Sequence, residues 1–208
     1  MTKADQLVAV TRALEEQAGS LPLTTTAADI VPGEGTPEAE VMLIGEAPGY
    51  NETVQRRPFV GLSGKLLRQT LTDNAIPPES VFISNIVKAR PPENRDPTPE
   101  EIAAYRPFLD REIEILNPYL VITLGRYSMA KFLPSVKISQ IHGRLQKVSW
   151  NKQTLYVLPM YHPAAALRAP QVKISFIADF KKVLPTVKWV KEQKELNKLT
   201  ASVTEALF

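Results

Sequence analysis

Four short apolar runs do most to limit what this chain can become. They are VMLIG (41–45), SVFISNIV (80–87), YLVITLG (119–125) and TLYVLPM (154–160). Each is rich in Val, Ile or Leu and too short for a buried helix, so each is predicted to be a strand covered on both faces. The stretches between them carry helical spacing or turn residues. Strands separated by helices pair in parallel, with helices on both faces of the sheet. The expected fold is therefore α/β: a three-layer α/β/α sandwich around a short, mostly parallel central sheet. A length of 208 residues suffices for one domain with a substantial core, and no repeat or long linker divides it. Residues 1–39, a first helix with a surface loop, and 184–208, a last helix, are read as parts of that one unit.

Local signals sharpen the outline. Residues 4–17 are predicted as a helix and 19–39 as mostly loop. Gly61 to Asn74 places Leu66, Leu67, Thr70 and Leu71 at helical spacing. Thr98, Pro99 and Glu101 form an N-cap, a first-turn proline and the acid of a capping box. Ile102, Leu109, Ile113 and Leu116 are the apolar face of that helix, which Pro107 is expected to bend or split. GRYSMAKFL (125–133) reads as a short helix, and KVSWNKQTLYVLPM as two strands around a turn at Asn151–Gln153. Residues 171–198 read as helix with a break near Pro185. Most of the eighteen prolines fall at element ends, which suggests shaped loops rather than a disordered tail.

Composition excludes several classes. There is no cysteine, which removes disulfides, thiolate metal sites and a cysteine nucleophile. With only His142 and His162 as histidines, no metal site is expected. No run reaches the length of a membrane span, and the N-terminus lacks a signal-peptide pattern. The expected location is the cytosol of a bacterium or archaeon. A net charge of +3 and a pI near 9.0 suit a polyanionic partner and equally an ordinary solvated surface.

In an open parallel sheet, ligands bind beyond the carboxyl ends of the strands. Here those ends read GEAPG, SNIVKARPP, TLGR and YHPAAAL, and three of them carry a conspicuous polar residue: Glu46, Asn85 and His162. GEAPG is neither GxGxxG nor a P-loop lysine motif, so phosphate binding of those kinds is a poor match. Gly45 and Gly49 permit close backbone approach, with Pro48 stiffening the turn. Asn85 carries a donor and an acceptor suited to the edge of a base. His162 can donate to an oxygen that gains charge. Phe59, between Pro58 and Gly61, can serve as a stacking platform. Lys88, Arg90, Arg95 and Arg168 flank these loops and can contact phosphates. Each residue also has a plain structural reading: a solvated Glu46, an Asn85 or His162 bonded within the fold, Phe59 in the core, and cations as ordinary surface charge. His142, in HGR, is read as a turn residue.

GEAPG, RPFVG with GKLL, SNIVKARPPENRDPTPEEI, VITLGR and YHPAAAL, in this order, resemble the family 4 uracil-DNA glycosylases. The likeness runs from about residue 14 to 183. It implies a monomeric, metal-independent hydrolase that cuts the N-glycosidic bond of deoxyuridine in DNA and releases free uracil. It implies that Glu46 is associated with the catalytic water, with Ala47 where family 1 enzymes carry an aspartate. Phe59 matches the aromatic that stacks on uracil, Asn85 the residue that reads its edge, and His162 the residue near O2. Gly45 lies in the same base-binding loop, and Glu52 matches an acid closing the pocket near C5. The segment 164–170, with Ala165, Leu167 and Arg168, matches the loop that enters DNA. Arg56, Arg57, Lys88, Arg90, Arg95 and Arg144 are the further expected DNA contacts.

The chain departs from the family at two places. Family members hold a [4Fe–4S] cluster on four cysteines, and the matching positions here are Ala18, Leu21, Ala89 and Tyr105. No cofactor is therefore expected, and an apolar plug is predicted in the cluster's place. In the first loop, Thr53 and Arg56 stand where the family has an acid and a glycine. That change motivates one alternative, a glycosylase of broadened specificity toward hypoxanthine or xanthine; from other classes stand a module that binds damaged bases without cutting and a nucleotide-binding enzyme on a similar sandwich.

Overall fold

The computed structural model describes the backbone of residues 1–207 and the side chains of residues 1–197. Its strands are β1 (Glu34–Gly35), β2 (Val41–Gly45), β3 (Phe82–Asn85), β4 (Leu120–Leu124), β5 (Gln146–Trp150) and β6 (Gln153–Met160). They form one six-stranded sheet in the order β1-β3-β2-β4-β6-β5. The inner four run parallel, and β1 and β5 pair antiparallel at the two edges. The four apolar runs supply the four parallel strands, as expected of segments buried on both faces.

Alternate residues of these strands feed two cores. On one face Met42, Ile44, Phe82, Val121 and Val157 pack with Val10 and Leu14 of α1 (Lys3–Glu16) and with Tyr105, Leu109 and Ile113 of α4 (Pro99–Leu116). On the other, Leu43, Ile83, Ile122 and Leu158 meet α3 (Leu62–Asp73), α8 (Pro170–Phe180) and α9 (Val183–Leu207). The result is the three-layer α/β/α arrangement. Short helices lie at the strand ends: α2 (Tyr50–Gln55), α5 (Arg126–Ala130), α6 (Ile138–Ile141) and α7 (Pro163–Arg168).

Capping follows the local signals. At α4, Thr98 Oγ1 accepts from the Glu101 amide at 3.3 Å, and the Glu101 carboxylate accepts from the Thr98 amide at 2.8 Å. Asn151 and Lys152 both have positive φ, 45° and 62°, which is the two-residue hairpin turn joining β5 to β6.

The structure makes three local expectations more specific. Pro107 does not split α4, which is assigned as one helix across it. Its ring is exposed, while Tyr105, Phe108 and Leu109 beside it are buried, and that packing outweighs one lost backbone bond. The break in the C-terminal helix falls at residues 181–182, ahead of Pro185. Pro185 sits in the first turn of α9, where a missing N–H costs little. The 19–39 loop contributes β1 and buries Ile30 and Val31. No helix among the described residues is long and apolar enough to cross a membrane.

Candidate active site at the strand ends

The strand order turns at β2, whose neighbours β3 and β4 lie on opposite sides. Such a reversal opens a crevice at the carboxyl ends of the strands. Here the crevice is a cleft of about 680 Å³ lined by Glu46, Ala47, Glu52, Phe59, Asn85, Arg95, His162, Ala165 and Arg168, among others. The residues singled out at three separate strand ends thus come together in one place.

Gly45, opposite Asn85 in the parallel register, makes the floor. A Cβ at this position would lie 2.5 Å from Phe59 Cζ and would also collide with Asn85 Oδ1. Glycine is therefore what lets the ring and the amide converge over the strand end. Beyond the strand the chain stays tied to β2: the Ile86 and Val87 amides donate to the carbonyls of Gly45 and Glu46 at 3.1 and 3.2 Å.

Asn85 is 3% exposed, and its Oδ1 has no hydrogen-bond partner among the described residues. A buried, unpaired acceptor costs roughly 1–3 kcal/mol, so a side chain held this way is set to take a donor from a ligand.

Phe59 is 4% exposed and has φ of 55°, a left-handed conformation that is costly for a bulky residue. The surroundings impose it. Glu52 Oε1 accepts from the amides of Val60 and Gly61 at 3.0 and 2.7 Å. Arg68 donates to the carbonyls of Phe59 and Pro58, both at 3.2 Å. Glu52 thereby positions the aromatic while itself lining the cleft. Sequence reading overlooked Arg68 and the short helix α2, since a lone arginine in GKLLRQ carries no signal and α2 is held in place by contacts made by Glu52.

His162 lies 5.7 Å from Phe59, ring centroid to centroid. It caps α7, with Nδ1 accepting from the Ala164 amide at 3.1 Å. That bond places the imidazole proton on Nε2, leaving a donor for the cleft. Burial, reinforced by Arg168 and opposed by Glu52, pushes its pKa down to about 4. The ring is neutral at physiological pH. Next to it in the chain, Tyr161 packs against His142 with ring planes tilted by 37° and centroids 4.5 Å apart, and His142 Nδ1 is 2.7 Å from Asp179 Oδ2. His142 thus supports the cleft wall.

Glu46 is pushed up to about 7 by burial and then by the charge of Asp96, with Arg126 and Arg168 pulling the other way. Asp96 and Arg126, which pair with each other, line the same cleft. Neither was foreseen, because each acquires significance only by facing Glu46 across the fold.

The expected DNA-binding cations separate into distinct groups. Lys88 does not reach the surface: it is 1% exposed, and its Nζ donates to Glu112 Oε2 at 2.7 Å and to Ser84. Burial lowers its pKa and Glu112 opposes that shift. It is a core ion pair, and its expected phosphate contact is withdrawn. Arg56 faces Glu15 and donates to the Ile30 carbonyl at 3.0 Å, while Arg57 makes two bonds of 2.7 Å to Glu34. Both point toward acids outside the cleft. Arg95 lines the cleft but is paired with Glu101. Arg144 and Leu167 are exposed, and neither lines the cleft.

The cluster implied by the family resemblance does not fit this chain. Its four positions, Ala18, Leu21, Ala89 and Tyr105, offer no thiolate. Ala89 and Tyr105 are fully buried, Ala18 and Leu21 pack beside them, and the Tyr105 hydroxyl donates to the Pro22 carbonyl at 2.6 Å. No group of three or more His, Cys, Asp or Glu suited to a metal ion occurs among the described residues. Tyr105 thus links α4 to the loop after α1. Tyr105→Phe should cost about 1 kcal/mol of unfolding free energy, and Tyr105→Ala about 3–5 kcal/mol by analogy with other large aromatics. Denaturant titration checks both.

Comparison with known proteins gives one family. Residues 32–188 match the model of the uracil DNA glycosylase superfamily. The chain is 44% identical over 159 residues to a type-4 uracil-DNA glycosylase of Sulfurisphaera tokodaii, covering 74% of this chain and 72% of that one. It is 40% identical over 168 residues to the type-4 enzyme of Archaeoglobus fulgidus, covering 77% and 83%. Against the type-4 enzyme of Thermotoga maritima, identity is 36% over 170 residues, covering 81% and 87%. The cleft, the strand-end residues and these matches together make the chain a member of the uracil DNA glycosylase superfamily.

Proposed function

We propose that this protein hydrolyses the N-glycosidic bond of deoxyuridine in DNA, releasing uracil and leaving an abasic site for base excision repair. The observation that carries the reading is the unpartnered Asn85 Oδ1, buried over Gly45 beside Phe59. Uracil presents an N3–H donor next to the O4 acceptor. The Asn85 amide accepts from the first and donates to the second. Cytosine reverses both, leaving buried groups unpaired.

The nucleotide first leaves the duplex, at a cost of a few kcal/mol that is smaller at a mismatch. Phe59 stacks on the extruded ring, and the 164–170 segment grips the strand. Thymine shares uracil's edge, so its methyl group must be rejected by bulk near C5, supplied by Glu52 and the loop it holds. As the C1′–N1 bond breaks, its electron pair moves onto uracil and the sugar becomes cationic. His162 Nε2–H donates to O2 as that charge grows. Glu46 as the anion stabilises the sugar and orients the water. The water oxygen bonds C1′, and its proton leaves through the carboxylate.

Because burial and Asp96 raise Glu46 to about 7, it is largely protonated at pH 6 and largely anionic at pH 8. Single-turnover rates should therefore climb with pH through about 7. Glu46→Gln should be slow and flat over the same range, and an unchanged slope would remove Glu46 from this role. The activity itself is tested on an end-labelled strand bearing one deoxyuridine, treated with hot alkali after incubation. Strands with thymine or hypoxanthine run beside it. A break at uracil alone is expected, and an intact uracil strand from folded protein would overturn the proposal.

A further inference from the structure

The cleft continues into a rim that the chemistry above leaves unused. Tyr50 opens α2 and is 64% exposed. The Arg90 guanidinium carbon lies 5.4 Å from the centroid of its ring. Arg90 Nε donates to Asn94 Oδ1 at 2.8 Å, and its terminal nitrogens have no hydrogen bond among the described residues. The pair spans two strand ends, since Tyr50 follows β2 and Arg90 follows β3. It is continuous with the cleft, because Gly49, next to Tyr50, and Asn94, bonded to Arg90, both line it.

An exposed tyrosine alone is ordinary, and a surface cation–π contact by itself contributes little. The charge pattern around it is not ordinary. Arg56, Arg57 and Arg95 each face a carboxylate, whereas Arg90 has only the neutral Asn94 amide. The rim therefore joins an accessible aromatic face to a guanidinium that no acid neutralises. A nucleotide offers the matching groups, a base to stack and a phosphate to pair.

We infer that Tyr50 and Arg90 form a stacking subsite for a nucleotide flanking the flipped one on the uracil-bearing strand. The inference rests on the glycosylase reading. Flipping removes one stacking neighbour from the flanking base, and Tyr50 replaces it. Single strands and purine neighbours gain most, because their bases are free to move or have the larger face.

The test compares the parent with Tyr50→Ala, Tyr50→Phe and Arg90→Ala on single-stranded oligonucleotides carrying one uracil. In each, the two positions flanking the uracil hold either adenine on both sides or an abasic analogue on both sides. Tyr50 is exposed, so its variants should keep the parent's thermal unfolding profile. Tyr50→Ala should raise the half-saturating DNA concentration about five- to tenfold when adenine flanks the uracil, consistent with stacking energies of that order. Tyr50→Phe should stay near the parent, and the deficit should vanish when both flanks are abasic. Arg90→Ala should lower the slope of log affinity against log salt by about 0.7, one phosphate on a single strand. Equal half-saturation for Tyr50→Ala and parent would overturn the subsite, as would a deficit indifferent to the flanking base. If the parent cuts nothing, the glycosylase reading fails instead. Fluorescence anisotropy with the same strands then still decides the subsite: a Tyr50→Ala loss that needs the adenine upholds it, and equal binding rejects it.

Discussion

Asn85→Ala should reduce uracil excision by about two to three orders of magnitude while changing DNA affinity only a few-fold. Two hydrogen bonds to the base are lost, each worth roughly 1–3 kcal/mol when the partner is left buried and unpaired. The remaining grip on the strand comes from phosphate contacts that Asn85 does not make. The loss therefore falls on the transition state rather than on the encounter. Asn85 is buried at a strand end over Gly45, so truncation leaves a small polar void rather than a broken core. Single-turnover cleavage with saturating enzyme, beside an equilibrium binding titration, separates the two effects. Parent-like cleavage would remove Asn85 from base recognition.

Loss of the His162 donor should be of similar size, about 10²–10³ in rate, the usual cost of deleting one donor to a developing oxyanion. Alanine would also uncap α7, since Nδ1 accepts from the Ala164 amide. His162→Asn is the cleaner variant, because it can keep a capping acceptor while removing the Nε2–H. The two variants should be equally impaired in rate and differ in stability, with alanine lower by about 1 kcal/mol. The low pKa adds a pH signature. Burial holds the folded value near 4 against 6.5 for an ordinary histidine, so between those limits the unfolded chain binds the extra proton. The contribution of His162 to stability is intact above about 6.5 and is lost as pH falls toward 4. Parent stability should thus fall more steeply over that window than that of His162→Asn, as read by denaturant midpoints. A rate loss at pH 6 traced to His162 protonation would contradict the neutral ring.

Much of this site is legible in the sequence. Glu46, Asn85 and His162 stand at the ends of apolar runs, and a parallel sheet brings such ends to one edge. The glycines of GEAPG pointed to close approach, which at Gly45 is required by Phe59 and Asn85. Phe59 was visible as an aromatic held between Pro58 and Gly61, but not its left-handed backbone, which depends on Glu52 and Arg68. The cations were least legible. Lys88, Arg56 and Arg57 look alike in sequence, yet their partners lie 24, 41 and 23 residues away, at Glu112, Glu15 and Glu34.

From the sequence alone came the strand–helix alternation, the parallel sheet, the capped α4, the β5–β6 hairpin and the absence of any cysteine to hold a cluster. These depend on periodicity, turn chemistry and residue type, which act over a few residues. Only the tertiary structure decided which arginines remain unneutralised, that Lys88 is a core residue, that His162 carries its proton on Nε2, and that Glu46 titrates near neutrality. Charge, tautomer and pKa are set by what stands within a few ångströms, and folding brings those neighbours from distant parts of the chain.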